Sequence, residues 1–199
     1  MVLLWSELNF PDKKYQIILA DPPWEYSSHP NSKRGIWGLA NQHYKTMTIK
    51  DICELPVSTI ADKNCMLFLW VTFPNLQNGL DVVKAWGFEY KTTAFVWIKN
   101  DKTTIKPKKY GLGWYSRSNA EIVLLGRKGK FERKSASVQQ IITTSIQEHS
   151  KKPNEVRNRI LQLCGDLPRI ELFARQKIPN WDAWGDSPNL QNQPLEVFS

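Results

Sequence analysis

The sequence has little cysteine and no run of apolar residues long enough to cross a membrane. Its 199 residues include three cysteines, which are widely spaced and each lie inside an apolar stretch. This pattern is typical neither of a disulfide framework nor of a CxxC metal site, so we expect reduced, mostly buried thiols at Cys53, Cys65 and Cys164. The longest apolar run, residues 66–71, is far shorter than the roughly 20 residues that a membrane-spanning helix needs. A disulfide scaffold and a helical membrane protein are thereby excluded.

A phosphate-binding glycine loop is also missing. The nearest candidates, residues 35–38 and 111–113, fit neither GxGxxG nor GxxxxGK[ST], which disfavours pyrophosphate binding in its usual modes. The three histidines have no cysteine or carboxylate at ligand spacing, so no metal site is expected. The first residues lack the basic and apolar regions of a secretory signal, and we therefore expect a cytoplasmic protein.

What the sequence does have is positive charge and aromatic side chains. Lys and Arg number 27 against 19 Asp and Glu, which gives a formal charge of +8, and aromatic residues make up 12% of the chain. The basic residues gather in short clusters where turns are expected, as on a solvated basic surface. Basic loops that also carry aromatic residues are equally what a nucleic-acid groove needs, because lysines neutralise phosphates and aromatic rings accept unstacked bases. Composition alone leaves both interpretations open.

Apolar runs alternate along the chain with helical patterns. Strands are predicted at residues 15–20, 65–71, 88–98, 120–125, 140–145 and 169–174, and helices at residues 48–56, 74–86 and 153–163. This alternation predicts a single α/β domain over residues 1–199, with a mostly parallel sheet, helices on both faces, a core from about residue 10 to 186 and a loosely packed tail at 187–199. Such a sheet binds its ligand at the carboxyl ends of the strands, near the point where the strand order reverses.

The tetrapeptide Asp21-Pro22-Pro23-Trp24 stands at the end of the first predicted strand. Its two prolines fix φ and have no N–H, so the stretch presents acceptors without competing donors. The Asp21 carboxylate and a proline carbonyl could together accept both hydrogens of one exocyclic amino group, and the Trp24 indole offers a face to a heterocycle. Two such acceptors would give an adenine amine tetrahedral character and aim its lone pair at an electrophile, as methyl transfer requires. A strand-ending turn with a packed tryptophan is the alternative interpretation.

The same tetrapeptide resembles the hallmark of the adenine amino-methyltransferases, and specifically of the MT-A70 family. Further blocks at residues 66–72, 114–121, 150–155, 170–175 and 181–185 support this resemblance, which extends over residues 15–186. The family implies a Rossmann-like methyltransferase fold in which the catalytic block precedes the cofactor block, and it implies S-adenosylmethionine as the methyl donor.

The resemblance also implies roles for individual residues. It gives a catalytic role to Asp21, Pro22, Pro23 and Trp24. It gives cofactor binding to Asp21, Lys152, Phe173, Arg175, Lys177 and Asp186, with Lys152 on the carboxylate of the donor and Arg175 on its ribose hydroxyls. It gives substrate binding to Trp24, Tyr26, Tyr44, Trp114, Arg117 and Glu121. Asp186 stands where the family usually has Asn, so the amide donor of that Asn is lost.

DNA is the expected substrate, because the sequence has no RNA-binding appendage such as a zinc-finger run of Cys and His. The same reaction on RNA adenine is one alternative, and a catalytically inactive, nucleic-acid-binding partner subunit is another. A basic chain of this size has little surface for extended base readout, so we expect a specificity that is short, relaxed or completed by a homodimer.

Overall fold

The structure is a computed structural model that describes residues 9–25, 46–100, 116, 118–145, 151–186 and 190. Its strands are β1 (Tyr15–Ala20), β2 (Ala61–Val71), β3 (Glu89–Asn100), β4 (Ala120–Lys128), β5 (Ile141–Ser145), β6 (Arg169–Leu172) and β7 (Asp182–Trp184). Its helices are α1 (Ile49–Glu54), α2 (Leu76–Ala85) and α3 (Glu155–Cys164), and short 3-10 turns cover Val57–Thr59 and Phe73–Asn75. No helix in these described parts of the chain is both long and apolar enough to span a membrane.

The seven strands form one sheet in the order β5-β3-β4-β2-β1-β6-β7. Strand β4 runs antiparallel to both of its neighbours, and every other pairing is parallel. The predicted mostly parallel α/β sheet is thereby confirmed. Because β4 points the other way, its first residues lie at the same edge of the sheet as the carboxyl ends of the remaining six strands.

Helices cover both faces of the sheet, as predicted. Along β1, Ile18 and Ala20 join a core cluster that contains the buried residues of α1 and α2. Ile17 and Leu19 point to the opposite face and join a second cluster, which contains the buried residues of α3. Successive strand side chains alternate between faces, so an uninterrupted apolar run like β1 is what a strand covered on both sides requires.

Local sequence signals fix the ends of the helices. The Thr48 hydroxyl accepts a hydrogen bond from the backbone N–H of Asp51 at 3.1 Å, which caps the start of α1. Gly87 and Gly165 follow α2 and α3 with φ of +82° and +85°, in the left-handed region that glycine adopts most readily. These three residues lie at or close to the limits of the helices predicted at residues 48–56, 74–86 and 153–163, and the three helices are thereby confirmed.

Five of the six predicted strands differ in their limits from the observed ones, and one observed strand was not predicted. Strand β2 begins at Ala61 rather than at residue 65. The apolar pattern did not reveal its first residues, because residues 62–64 are polar and at least partly exposed. Strand β6 ends at Leu172 rather than at residue 174, because Phe173 has φ of +60° and leaves the extended conformation. Strand β7, only three residues long and without an apolar run, was not predicted.

Candidate active site

The first strand ends at the place where the sheet topology changes direction. From β1 the chain passes through α1 to β2 on one side, whereas β6 pairs with β1 on the other side. Ala20 lies opposite Leu172, and the backbone N–H of Asp21 points to the Leu172 carbonyl at 3.4 Å. Asp21 and Phe173, the residues that follow these two strands, therefore lie side by side at the switch point where sheets of this type bind ligands.

The Asp21-Pro22-Pro23-Trp24 turn is fixed by hydrogen bonds to its own backbone and to neighbouring segments. The backbone N–H of Trp24 donates to the Pro22 carbonyl at 2.8 Å, and that of Met47 donates to the Pro23 carbonyl at 2.9 Å. The Trp24 indole N–H donates to the carbonyl of Trp70 in β2 at 3.0 Å. Each proline carbonyl keeps a second lone pair with which it can accept another donor.

The Trp24 side chain belongs to the core. It is 5% exposed and packs in the cluster between the sheet and helices α1 and α2. Pro22 is buried, while Pro23 and Asp21 are partly exposed. The turn therefore presents the Asp21 carboxylate outward and is held from beneath by the tryptophan.

Four charged side chains meet at this edge of the sheet, and we call them the charge cluster: Asp21, Lys99, Glu121 and Lys152. The Lys152 ammonium lies 3.1 Å from Asp21 Oδ1 and 3.0 Å from Glu121 Oε2. The other oxygen of Glu121, Oε1, accepts a short hydrogen bond from the Lys99 ammonium. Their side chains are between 13% and 25% exposed. The cluster contains two carboxylates and two ammonium groups, so its formal charge is zero.

The sheet topology explains why residues so distant in the sequence meet here. Asp21 follows the carboxyl end of β1, and Lys99 lies near the carboxyl end of β3. Glu121 is the second residue of the antiparallel β4, where it pairs with Trp97. Lys152 lies in the segment between β5 and α3. All four positions belong to the same edge of the sheet.

Burial and neighbouring charges move the pKa values of the cluster in different directions. Burial raises the pKa of Asp21, and the Glu121 charge adds to this increase, while Lys152 opposes it without cancelling it. Burial also acts to raise the pKa of Glu121, but Lys152 and Lys99 together outweigh it and hold that pKa below its ordinary value. Burial acts to lower the pKa of Lys152, but the two carboxylates outweigh it and raise that pKa. Of the two carboxyl groups, Asp21 accepts a proton more readily.

Two buried tryptophans lie beneath the ammonium groups. Lys152 Nζ is 5.2 Å from the ring centroid of Trp70, and Lys99 Nζ is 4.9 Å from that of Trp97. The two rings meet edge to face, with centroids 6.0 Å apart, and the Trp97 indole N–H donates to Thr144 Oγ1 at 2.8 Å. Each ring face attracts the cation above it, so the tryptophans help to hold both lysines in place.

Helix α3, which follows Lys152, is attached to the sheet by a bidentate ion pair. Arg157 Nε and Nη2 each lie 2.7 Å from a carboxylate oxygen of Glu171 in β6. Planar two-point pairs of this kind fix orientation better than a single contact does. The pair therefore helps to set the position of the segment that carries Lys152.

The turn between β6 and β7, and the residues that directly follow β7, carry the remaining predicted cofactor residues. Phe173 is 6% exposed, and its ring packs edge-on against Trp184 with centroids 5.4 Å apart. Arg175 and Lys177 are exposed, and Asp186 is half-buried. Arg175 lies close enough to Asp21 for its charge to act to lower the pKa of that carboxyl group. The structure thus brings Phe173 and Arg175 to the switch point beside Asp21.

Four of the residues predicted to bind the substrate are not among those that the structure describes. Tyr26, Tyr44, Trp114 and Arg117 lie outside the described residues, and their contact with the base stays a prediction.

Lys99 and Trp97 were not predicted as site residues. Their alternating positions on one face of β3, at its carboxyl end, are the signal that could have found them. Within the described residues, no group of three His, Cys, Asp or Glu side chains could hold a metal ion.

The sheet order, the antiparallel β4 and the aspartate-proline turn at the switch point define a Rossmann-like methyltransferase domain. The chain belongs to the MT-A70 family of adenine methyltransferases, and the family model matches residues 15–187.

The chain is similar to proteins from bacteria and animals. It is 38% identical to the Type II methyltransferase M.MunI of Mycoplasma sp, over 89% of this chain and 79% of that protein. It is 26% identical to the human N(6)-adenosine-methyltransferase catalytic subunit METTL3, over 87% of this chain. It is 28% identical to the human N(6)-adenine-specific methyltransferase METTL4, over 94% of this chain. The alignments cover only 28% and 40% of these two human proteins.

Proposed function

We propose that the protein transfers a methyl group from S-adenosylmethionine to the exocyclic amine of adenine in DNA. The observation that carries this proposal is the Asp21 carboxylate, held beside the Pro22 carbonyl at the switch point and 3.1 Å from Lys152. The choice of DNA is supported by the similarity to a Type II methyltransferase, of whose length the alignment covers 79%. The excess of positive charge suits a polyanionic substrate.

The donor set at the switch point fits S-adenosylmethionine, which carries an ammonium group, a carboxylate and ribose hydroxyls. Asp21 would accept from the ammonium group, and Lys152 would donate to the carboxylate. Arg175, Lys177 and Asp186 would contact the ribose, and Phe173 would form the apolar wall of the pocket. When bound, this cofactor supplies an electrophilic methyl group.

The chain's own residues would activate the target amine. Asp21 and the Pro22 carbonyl accept its two hydrogens, which draws them out of the ring plane and frees the nitrogen lone pair for attack. A nitrogen–carbon bond forms as a sulfur–carbon bond breaks, and the methylated amine then gives up one proton. The raised pKa of Asp21 suits it to accept this proton.

The target base would lie in a pocket beside the charge cluster. Glu121 would line this pocket together with Tyr26, Tyr44, Trp114 and Arg117. Trp24, whose ring is buried in the core rather than offered to a base, would support the pocket from beneath. A base within a duplex cannot reach a carboxylate at this edge unless it is extruded from the stack or met in a single strand. A second copy of the chain, as a homodimer, would extend the readout of the flanking sequence.

Transfer of a labelled methyl group to adenine-containing DNA and RNA oligonucleotides tests the proposal. We expect labelling of DNA, its loss in Asp21→Ala, and no change in Asp81→Ala, which alters an exposed aspartate on α2. Labelling of RNA alone would assign the reaction to RNA. Absence of transfer to either polymer, together with no heat on calorimetric titration with S-adenosylmethionine, would show an inactive partner subunit and overturn the proposal.

A further inference from the structure

Lys99 takes part in the charge cluster, yet the proposed chemistry gives it no task. Its ammonium group donates to Glu121 Oε1 and lies over the Trp97 ring. Its backbone N–H donates to the Asn119 carbonyl at 2.8 Å, which ties the end of β3 to the start of β4. The side chain is 25% exposed and directed at a partner that is 13% exposed.

We propose that Lys99 is a positioning residue, which holds Glu121 so that Lys152 stays shared between Glu121 and the catalytic Asp21. This inference rests on the proposed function of Asp21 and extends it to a residue that does not contact the reacting atoms. Each oxygen of Glu121 pairs with a different lysine, since Oε1 faces Lys99 and Oε2 faces Lys152.

The charge balance shows why the second lysine matters. With Lys99 present, the negative charge of Glu121 is partly neutralised by Lys99, so Lys152 can also pair with Asp21, which lies 3.1 Å away. Without Lys99, two carboxylates would compete for one ammonium group in a site where water screens little. Lys152 would then move towards Glu121, and Asp21 would keep only the weaker influence of Arg175 in favour of its charged form.

Lysines near a nucleic-acid site more commonly bind phosphate, and the structure argues against that role here. A phosphate-binding lysine extends into solvent, whereas Lys99 is already paired with a carboxylate that is only 13% exposed and lies over an aromatic ring. Lys91 on the same strand offers the comparison: its partner Glu89 is 67% exposed, and neither belongs to the charge cluster.

The test compares Lys99→Met with the conservative Lys99→Arg and with Lys91→Met as the matched control. We expect kcat of Lys99→Met to fall by roughly ten- to a hundredfold, because a misplaced catalytic group costs about that much. The acid limb of its pH profile should also move to higher pH, because Asp21 loses part of its cation. Lys99→Arg should restore both properties, and Lys91→Met should alter neither.

A measurement independent of turnover follows the Glu121 carboxyl carbon by NMR as the pH is varied. The charges that face Glu121 in the described structure are Lys99 from β3 and Lys152 from the segment before α3, with Asp21 beyond Lys152. Lys99→Met should raise the titration midpoint of Glu121, and Lys91→Met should leave it in place. If Lys99→Met does not fold, Lys99→Gln is to be measured in the same way.

Two outcomes would overturn the inference. One is an unchanged Glu121 titration in the Lys99 variant. The other is a weaker, less salt-dependent affinity for DNA with kcat unchanged, which is the behaviour of a phosphate contact. A wild-type protein that transfers no methyl group would refute the proposed function instead, and the Glu121 titration would still decide whether Lys99 positions that carboxylate.

Discussion

The Lys152 ammonium lies 3.1 Å from the Asp21 carboxylate and does not hold the pKa of that carboxyl group down to its ordinary value. The reason is burial, which raises the pKa of Asp21 more than Lys152 lowers it, and the charge of Glu121 adds to the increase. Lys152 also pairs with Glu121, whose pKa is lowered. A single ammonium group thus pairs with two carboxyl groups whose pKa values move in opposite directions. The carboxylate at the switch point is the one that protonates more readily, which supports the proposed role of Asp21 as the proton acceptor.

We predict that the raised pKa of Asp21 is visible in the pH dependence of both activity and stability. Activity needs the Asp21 carboxylate, so kcat should fall as the pH falls through its raised pKa, at higher pH than for an exposed aspartate with a pKa of about 3.9. A carboxyl group whose pKa is higher in the folded than in the unfolded protein stabilises the fold while it is protonated. This contribution is complete at pH values below the pKa of the unfolded state, and it is lost as the pH rises through the pKa of the folded state. The free energy of unfolding of the wild type, relative to Asp21→Asn, should therefore decrease with rising pH across that window.

Urea denaturation at a series of pH values checks the stability part of this prediction, and methyl transfer over the same series checks the activity part. Asp81→Asn is the control, because Asp81 lies on the exposed side of α2. A constant difference in stability between wild type and Asp21→Asn would contradict the prediction.

The apolar strands were predictable because burial on both faces leaves a strong signal. Residues 15–20 were predicted as a strand with the observed limits. Successive side chains from Ile17 to Ala20 alternate between the two core clusters, so almost all of the strand is apolar. The direction of β4 was not predictable, because a buried antiparallel strand has the same apolar composition as a buried parallel one. That direction is nevertheless what brings Glu121 to the site.

The site was predictable only in part, for a similar reason. Asp21 carries a local signal, a carboxylate and two prolines directly after a strand. The pairing of Lys99 with Glu121 depends on strand register, and on a charge balance between segments far apart in the sequence. Such relationships become visible only in the folded sheet.

Replacement of Trp24 by Phe should reduce both stability and kcat. The indole N–H bonds the Trp70 carbonyl at 3.0 Å in a site where the side chain is 5% exposed. Its loss leaves a buried carbonyl without that donor, which costs about 1 to 3 kcal/mol. The Asp21-Pro22 turn also loses its attachment to β2, so the acceptors are held less firmly.

Trp86→Phe provides a matched control for this variant. The Trp86 indole donates to the Ile52 carbonyl at 2.8 Å in an equally buried position away from the site. Denaturation should show a similar loss of stability in the two variants, and methyl transfer should show a loss of kcat only in Trp24→Phe. Full activity in Trp24→Phe would refute an anchoring role for the indole in catalysis.

The cysteines should react with a thiol reagent according to their burial. Cys65 and Cys164 are buried, and burial raises the pKa of each thiol to about 12, so neither presents a thiolate at neutral pH. Cys53 is half-buried, with its pKa also raised by burial. We expect slow labelling of one thiol in the native protein and rapid labelling of three in urea. Cys53→Ser should remove the native reaction, and labelling that persists in this variant would contradict the assignment.

Gly185, which directly follows β7, should not tolerate even a methyl group, because it lies very close to the backbone of the segment after β6. A Cβ at this position would lie 2.4 Å from the Ala174 carbonyl oxygen, and the adjoining backbone is held by the bond from the Ala174 N–H to the Trp184 carbonyl at 3.0 Å. Since neither partner can move aside, Gly185→Ala should cost about 1 to 3 kcal/mol of stability. It should also weaken binding of S-adenosylmethionine, because Phe173 and Asp186 lie on the displaced segment.

Gly87→Ala separates this clash from backbone strain. Gly87 has φ of +82°, but a Cβ there would have no atom within 4 Å, so its replacement should cost only about 1 kcal/mol and leave cofactor affinity unchanged. Thermal denaturation and calorimetric titration of both variants make the comparison. Equal losses of stability together with equal cofactor affinities would show that the close approach of Gly185 to Ala174 does not shape the cofactor pocket.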